Sequence, residues 1–456
     1  MVGREEGQKC QQYFCVMIAS IGTLIVGSIL AWTSPSLQFL TSNNYSAPFM
    51  LKSKEEEEKI AALMPFGGLI GCLPAGFLAD SFGRKSTLII FSVPWIISWV
   101  LTTFATNVYM LYVARFIGGI VCGIYCGILP MYINEISEKS IRGALGTFFQ
   151  LFLTLGQLQV YILGIFDSYK ILCYACTASS IVLFIGLPFI PESPLYLVKK
   201  KRPTDAEKVL RRLRGPHYDV SFEMKDMNER LENSHSPKIS LSSIFTKVRL
   251  RSLIICIGLM VFQQFSGANA VIFFSDMIFV EAKASSPAIC TIVLGITLTL
   301  TTIASSFLIE RTGRKILLLI SIESMGFSLV ALGFYFWMLD HKMDTTNLTW
   351  LPLSSIVLFM VGFSLGIGPI PWLISVEILD PEIKSFGATL AAVTNFGGVT
   401  LVTFFFEPLV ELISAAYTFW VFAGVCLLGT IFILAIVPET KGKSVQEMQL
   451  LMAGKN

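Results

Sequence analysis

Long apolar runs dominate the sequence, and each is long enough to cross a bilayer as a helix. A crossing helix needs about 20 mostly apolar residues. Only 14% of the 456 residues are charged and 54% are hydrophobic, which is too little charge to cover a soluble protein of this size. The pattern predicts an all-α membrane protein and excludes a soluble enzyme and a disordered chain. The twelve predicted transmembrane helices are 13–34, 60–80, 86–106, 109–134, 143–165, 169–190, 252–279, 286–309, 316–339, 351–377, 386–407 and 413–437.

One long polar insert, residues 191–251, divides the predicted helices into two sets of six. Its basic character and its helix-like stretch at 205–214 are typical of a cytoplasmic linker with short surface helices. The predicted organisation is a cytoplasmic N-terminus (1–12), an N-terminal six-helix bundle (13–190), the linker (191–251), a C-terminal six-helix bundle (252–437) and a cytoplasmic tail (438–456).

The distribution of basic residues predicts the orientation. With the N-terminus in the cytoplasm, most of the 34 Lys and Arg residues fall in cytoplasmic segments, as the positive-inside rule requires. Two N-x-[ST] sequons, at Asn44 and Asn347, then fall in outer loops. Both are therefore candidate glycosylation sites.

The two halves of the chain repeat each other. GFLADSFGRK at 76–85 aligns with SFLIERTGRK at 306–315, and five of the ten positions are identical. Pro191-Glu192-Ser193 closes the first half as Pro438-Glu439-Thr440 closes the second. A parallel repeat of six helices is typical of secondary transporters, which hold their substrate near mid-membrane between the halves.

Several motifs resemble those of the major facilitator superfamily, and of its sugar porter family in particular. The loop at 76–86 is similar to the one between helices 2 and 3 of that superfamily. Segments 27–35 and 149–154 are most similar to the insect facilitated trehalose transporters. The sugar porter signatures are resembled by PMYINE (130–135) with Arg142-Gly143, PESP (191–194), QQFSGAN (263–269), GPIPW (368–372) and PETKG (438–442). The resemblance implies two six-helix halves in the major facilitator fold and transport of a sugar.

Charged residues alternate in sign at the predicted cytoplasmic helix ends of both halves. An unpaired charge in a membrane helix is costly, so these residues usually have partners. The pattern therefore predicts salt bridges that tie the halves together while the cavity faces outward and that break when it opens inward. The alternative is charge that only sets topology. The predicted gating residues are Asp80, Arg84, Glu135, Arg142, Glu192, Glu310, Arg314, Glu377, Lys384 and Glu439.

Amide side chains lie inside several apolar runs. A sugar is a neutral polyol, and amides both donate and accept hydrogen bonds. Buried amides without partners are costly, so we expect them to face a polar cavity; the alternative is hydrogen bonding between helices. The indole of Trp372 can stack on a sugar ring; the alternative is that it belongs to the belt of aromatic residues at the membrane–water interface. The predicted substrate-binding residues, which match sugar-contacting positions of the family, are Gln150, Gln263, Gln264, Asn269, Trp372 and Asn395.

Some positions depart from the sugar porter pattern. Leu298 stands where helix 8 usually carries Asn, Phe396 replaces a usual Trp, and Phe273 and Phe274 replace a tyrosine pair. Lys384 replaces Arg, and Asp380 replaces Pro. Because cavity hydrogen-bonding groups are missing, the substrate stays open between trehalose, a hexose and another polyol.

The first predicted helix contains no Asp or Glu, whereas proton-coupled sugar porters carry an Asp there. Glu323, Glu407 and Glu411 lie near predicted helix ends, where we expect solvent to reach them. The sequence therefore predicts facilitative uniport across the plasma membrane. The alternatives are a sugar sensor that does not transport and a facilitator of another neutral polyol.

Nothing in the sequence suggests a catalytic group. The pair Cys173 and Cys176 lies in an apolar run with no His nearby, so it does not predict a metal or redox site. We expect a monomer in the lipid bilayer, with no enzymatic activity, cofactor, metal, nucleotide or nucleic acid.

Overall fold

The computed structural model describes residues 7–41, 48–138, 140–216, 218–233, 246–283, 286–379, 383–441, 443 and 445–452. These residues form helices joined by short turns, with no strand among them. The helices of the first half are α1 (Cys10–Ala31), α2 (Thr33–Thr41), α3 (Lys54–Phe82), α4 (Arg84–Thr103), α5 (Val108–Ile136), α6 (Arg142–Gly164) and α7 (Tyr169–Gly186). Those between the halves are α8 (Pro194–Lys199), α9 (Pro203–Arg214) and α10 (Ser221–Asn233).

The second half comprises α11 (Lys247–Phe265), α12 (Ala268–Glu281), α13 (Pro287–Thr312), α14 (Arg314–Asp340), α15 (Leu351–Leu365), α16 (Ile370–Ile378) and α17 (Lys384–Ile436), and α18 (Val445–Met452) follows it. Two short 3₁₀ turns lie at Leu187–Phe189 and Thr346–Leu348.

Among the residues that the structure describes, eleven apolar helical segments are long enough to cross a membrane. The last of them, Phe386–Ile436, is 51 residues long. Ser414 interrupts it with a φ of 72°, so it contains two crossings and the total is twelve. We number the crossings 1 to 12 along the chain; α1 with α2, α11 with α12, and α15 with α16 make crossings 1, 7 and 10.

Several helix boundaries differ from the sequence prediction by a few residues. Crossing 1 begins at Cys10 and ends at Thr41, and α11 begins at Lys247. The extensions add a polar helical turn or a short second helix, which a search for apolar runs does not detect.

Glycines allow the helices of the first half to pack closely. An added Cβ at Gly71 of α3 would lie 2.0 Å from the Ile120 carbonyl oxygen, and one at Gly119 of α5 would lie 2.0 Å from that of Met64. The same holds between α1 and α6, where a Cβ at Gly156 would lie 1.9 Å from the Leu24 carbonyl oxygen. Small residues let membrane helices approach to backbone contact.

The helices between the halves are anchored to the first half through Arg214. This side chain is 2% exposed. Its Nη1 donates to the Ile136 carbonyl at 2.8 Å, its Nε pairs with Glu223 at 3.1 Å, and its carbonyl accepts from Gln8 N at 2.6 Å. We call the end of the bundle that carries α8–α10, the start of α1 and α18 the linker face, and the other end the opposite face.

Candidate functional site

Crossing 10 is broken in its middle, and the break exposes backbone carbonyls. The helix α15 ends at Leu365 and α16 begins at Ile370, with Gly366 in a non-helical conformation between them. The segment contains two prolines, Pro369 and Pro371, and proline cannot donate a helical hydrogen bond. The backbone carbonyls in the break therefore lack helical N–H partners and need other hydrogen-bond donors.

Gln263 of crossing 7 supplies these donors. Its Nε2 lies 2.6 Å from the Ile367 carbonyl oxygen and 2.7 Å from that of Gly368. A glutamine amide has two N–H groups, so both are used in this conformation. The side chain is 3% exposed and joins crossing 7 to the break in crossing 10.

Three further amides connect to Gln263. Asn395 of crossing 11 donates to its Oε1 at 2.7 Å, and Gln264 donates to the same atom at 3.3 Å. Asn269 in turn donates to Oε1 of Gln264. We call these four residues the amide cluster.

The members of the amide cluster differ in how much hydrogen-bonding capacity they keep for a ligand. Gln263 has used both of its donors, whereas Asn269 makes one hydrogen bond within the cluster and is half-buried. Gly267 (φ 86°) between α11 and α12 lets the chain turn between Gln264 and Asn269. Asn269 is thus the member best placed to meet a polar ligand.

Two of the predicted substrate-binding residues are not joined to the amide cluster. Gln150 lies half-buried on α6, and no hydrogen bond of the described residues links it to the cluster. Trp372 lies in the first turn of α16 and is 41% exposed. Their roles stay predictions.

The residues that depart from the sugar porter pattern form apolar contacts. Phe273 and Phe274 are buried, and Phe274 stacks on Phe406 with ring centroids 5.1 Å apart. Leu298 is 2% exposed. Phe396 packs against crossing 2, where a Cβ at Gly68 would lie 2.6 Å from its ring.

The predicted gating residues of the first half surround Arg84. This guanidinium pairs with Glu135 at 2.9 Å and with Asp80 at 3.1 Å. Glu192 accepts from the backbone N–H groups of Arg84 and Lys85 at 2.9 and 3.1 Å. A carboxylate at a helix N-terminus satisfies orphan N–H groups and complements the helix dipole.

The second half repeats this arrangement. Arg314 pairs with Glu377 at 3.0 Å, and Glu439 accepts from the N–H groups of Arg314 and Lys315 at 2.9 and 3.1 Å. Partial burial raises the pKa of Glu439, but hydrogen bonds from four backbone N–H groups outweigh it and hold that pKa below its ordinary value. The repeat seen in sequence is thus also a repeat in geometry.

The described ion pairs around Arg84 and Arg314 join residues of the same half, and the tie between the halves stays a prediction. Arg142 donates to the Ser137 carbonyl at 3.3 Å, also within its own half. The side chains of Glu310 and Lys384 lie outside the described part of the structure, as do residues Asn44 and Asp380. Asn347 is exposed in a 3₁₀ turn.

Hydrogen bonds and an ion pair between the halves lie toward the opposite face. The hydroxyls of Ser34 and Ser275 are 2.8 Å apart, and Ser34 also donates to Asp276 at 3.1 Å. Lys54 and Glu411 form an ion pair of 2.5 Å. The halves are therefore in contact at the opposite face in this conformation.

Sequence reasoning missed buried charged residues within crossings, among them Arg115 and Asp276. Arg115 is 1% exposed, and its described partners are neutral: it donates to the carbonyls of Ile29 and Ile60 at 2.8 and 3.2 Å and to the Thr33 hydroxyl at 2.8 Å. Asp276 is 3% exposed. A charge inside an apolar run was the available signal.

The expectation that solvent reaches Glu407 is wrong. Its side chain is 9% exposed, and neither carboxylate oxygen has a hydrogen-bond partner among the described residues. Glu407 lies on crossing 11, which packs against crossing 2, and a position near a helix end does not reveal this packing.

Taken together, twelve membrane crossings in two repeated halves, with broken helices meeting at a buried amide cluster, define a multi-pass membrane protein with the repeated architecture that is typical of secondary transporters. The chain belongs to the family of sugar (and other) transporters, whose model matches residues 14–452. Within the described residues, no group of three His, Cys, Asp or Glu side chains could hold a metal ion.

The curated relatives include insect proteins named facilitated trehalose transporter Tret1. That of Culex quinquefasciatus is 34% identical over 452 residues, covering 98% of this chain and 87% of the relative. That of Anopheles gambiae is 35% identical over 447 residues, covering 97% and 56%. The chain spans about half the length of some relatives, such as the Drosophila mojavensis protein, of which it covers 52%.

Solved structures share the fold. The inward-open conformation of the xylose transporter XylE from E. coli superposes with a TM-score of 0.81 at 23% identity, over 96% of this chain and 98% of that one. The major facilitator superfamily proton:xylose symporter XylE bound to 6-bromo-6-deoxy-D-glucose gives 0.78 at 24% identity, over 97% and 99%. The fold is therefore that of the major facilitator superfamily.

Proposed function

We propose that this protein is a facilitative transporter that moves a small neutral sugar, trehalose or hexose-like, across the plasma membrane by alternating access. The observation that carries the proposal is the amide cluster. It places uncharged hydrogen-bond donors and acceptors where crossings 7, 10 and 11 meet. Neutral amides suit a polyol, which presents hydroxyl groups and no charge. The names of the insect relatives support the same substrate class.

Uniport is supported by the surroundings of Arg115. The hydroxyl of Thr33, rather than a carboxylate, accepts from its guanidinium, and crossing 1 contains no acid up to Thr41. A proton-coupled cycle needs a titratable group that changes partner during transport. Asp276 and Glu407 are the buried acids to include when coupling is tested.

The proposed orientation places the linker face in the cytoplasm, because most basic residues lie there. The structure then corresponds to a conformation closed at the outer face. In the proposed cycle, the charged residues around Arg84 and Arg314 draw the halves together at the cytoplasmic face when the cavity opens outward. Asn44 and Asn347 would be glycosylated outside the cell, and the transporter would act as a monomer without nucleic acid.

Phe273 and Phe274 stand where the sugar porter pattern has a tyrosine pair, and this loss of two hydroxyl groups favours a second candidate, a facilitator of another neutral polyol. The remaining alternative is a sensor that binds sugar without moving it. The sugar transporter and the polyol facilitator differ only in substrate, whereas the sensor would produce no flux across the membrane.

The test is uptake by the purified full chain in liposomes against labelled trehalose, hexoses and polyols. We expect saturable uptake of at least one neutral compound, unchanged by a protonophore at fixed pH. Binding without uptake would identify a sensor. Concentrative uptake that the protonophore abolishes would refute uniport, and Asp276→Asn and Glu407→Gln would then locate the coupling residue.

A further inference from the structure

A cavity of about 230 Å³ lies between the two halves at the opposite face, away from the amide cluster. Crossings 1 and 5 of the first half and crossings 7 and 8 of the second contribute its walls. Its polar lining residues include Gln38, Tyr161, Asp167, Asp276, Ser286 and Thr291. We call it the seam cavity.

The seam cavity is part of the contact between the halves. Asp276 accepts from Ser34 across the seam at 3.1 Å, and Tyr161 donates to the Ile272 carbonyl across it at 3.2 Å. Asp167, which follows α6, is exposed, so the cavity reaches the protein surface at that residue. A ligand could therefore enter from that face while the halves stay in contact.

The buried carboxylate of Asp276 has one oxygen that accepts no hydrogen bond from the described residues. Its Oδ2 accepts from Ser34. The Thr291 hydroxyl lies beside the carboxylate but donates to the Ala288 carbonyl at 2.9 Å, so Oδ1 has no hydrogen-bond partner among the described residues. A buried polar atom without a partner requires an explanation, such as a water molecule or a ligand. A carboxylate oxygen accepts and cannot donate unless it is protonated, so the complementary ligand presents donors.

The residues that line the seam cavity limit the chemical class of that ligand. Among the described residues that line the cavity, none is basic, which disfavours an anion. A metal ion is disfavoured because no three acidic, His or Cys side chains of the described residues come together. The volume lies below the ~300–1,000 Å³ typical of drug-sized ligands, and suits one sugar ring rather than two.

We propose that the seam cavity is a second binding site, for a polyol no larger than one pyranose ring, with Asp276 accepting from adjacent hydroxyl groups. The site deepens the proposed function, on which its ligand class rests. Because the walls come from both halves, a polyol bound there stabilises the conformation closed at the opposite face. A ligand shifts a conformational equilibrium toward the state that it binds better.

The experiment measures the thermal stability of the purified full chain in detergent against increasing D-glucose and, separately, trehalose. Asp276→Asn keeps the size of the side chain but replaces one acceptor with a donor. We expect Asp276→Asn to raise, by about tenfold or more, the glucose concentration that gives half of the maximal increase in melting temperature. This is the effect expected for a lost hydrogen bond to a charged group. The response to trehalose should not change, because two rings exceed the cavity.

Two further variants keep the test decisive. Ala288→Phe fills the cavity and leaves the Asp276 carboxylate chemically unchanged, and it should weaken the glucose response in the same way even if Asp276→Asn folds poorly. Asp344→Asn, at an exposed acid of the loop before crossing 10, is the matched control and should behave as wild type. Its response to glucose also includes the general stabilisation that sugars exert on any protein, so the other variants are compared with it.

An unchanged glucose response in both Asp276→Asn and Ala288→Phe would overturn the proposal and leave a water-filled cavity. Stabilisation by glucosamine but not by glucose would overturn the neutral ligand class. The assay needs no transport, so absence of uptake with a preserved Asp276-dependent glucose response would refute the proposed function alone. Uptake with no Asp276-dependent response would refute the seam site alone.

Discussion

At the scale of single residues, Gln263 illustrates how one amide can serve structure rather than substrate. Both of its N–H groups bind the carbonyls of Ile367 and Gly368 in the break of crossing 10. Its Oε1 accepts from Asn395 and Gln264. Of the two interpretations open from sequence, hydrogen bonding between helices describes its contacts in this conformation, whereas Asn269 retains capacity for a ligand.

We expect Gln263→Leu and Asn269→Ala to have opposite signatures. The first removes the donors for two buried carbonyls and should cost about 1–3 kcal/mol of stability. The second should weaken sugar affinity by about 5–150-fold with a smaller change in stability, if Asn269 meets a sugar hydroxyl. Thermal stability and half-saturation of uptake, measured on the same preparations, separate the two. Equal losses of affinity at near-normal stability would contradict the structural role of Gln263.

Glu439 should give a pH-dependent contribution to stability. Its pKa is lowered by backbone hydrogen bonds that outweigh the opposing effect of partial burial. A lowered pKa in the folded state means that the ionised group stabilises the fold above the unfolded pKa, near 4.5, and that this contribution is lost as the pH falls through the folded value.

Melting curves of wild type and Glu439→Gln test this. The difference in melting temperature should be constant from pH 7 to about pH 5 and should shrink below about pH 4.5. A difference that instead grows on acidification would contradict the role of the carboxylate as a helix cap.

At the scale of elements, the helices pack at the distances that their glycines permit. On α6, Gly156 faces the backbone of α1, where an added Cβ would lie 1.9 Å from the Leu24 carbonyl oxygen. Gly146, on the same helix, has no atom within 4 Å of such a Cβ. Backbone atoms cannot move aside as a flexible side chain can, so only the first position constrains the packing of crossings 1 and 5.

Gly156→Leu should therefore destabilise the protein by about 1–3 kcal/mol, the usual cost of overpacking. Gly146→Leu is the matched control, because it makes the same chemical change in open space, and it should remain near wild type. Thermal unfolding of both variants in detergent checks this. Comparable destabilisation by the two substitutions would show that helix propensity, rather than packing, decides the outcome.

At the scale of the whole molecule, the two halves behave as units that meet at the opposite face. Ser34, Ser275 and Asp276 form hydrogen bonds across the seam, while the ion pairs around Arg84 and Arg314 remain within their halves. Alternating access requires the seam contacts to break and contacts at the linker face to form.

A disulfide across the seam should stop this exchange. The hydroxyl oxygens of Ser34 and Ser275 are 2.8 Å apart, which is close enough for the corresponding cysteines to form a disulfide. Oxidation of Ser34→Cys/Ser275→Cys should abolish uptake, and a reductant should restore it. The single variants control for the native cysteines. Full uptake by the demonstrably cross-linked protein would show that the seam need not open.

The sequence by itself determined the features that depend on local pattern. The length and apolarity of each run predicted the membrane crossings, because any segment in lipid must satisfy its own backbone as a helix. The repeat of GFLADSFGRK at 306–315 predicted two equivalent halves, and the structure repeats the arrangement of Arg84, Glu135 and Glu192 at Arg314, Glu377 and Glu439.

The tertiary structure decided what depends on residues far apart in the chain. Gln263 and Ile367 are 104 positions apart, and Ser34 and Asp276 are 242 apart. A motif shows that an amide is present but not which carbonyl it faces, because packing of the two halves chooses the partner. For the same reason, only the structure revealed that Asp276 and Glu407 are buried, and only the structure revealed the seam cavity, whose walls come from helices that no local pattern brings together.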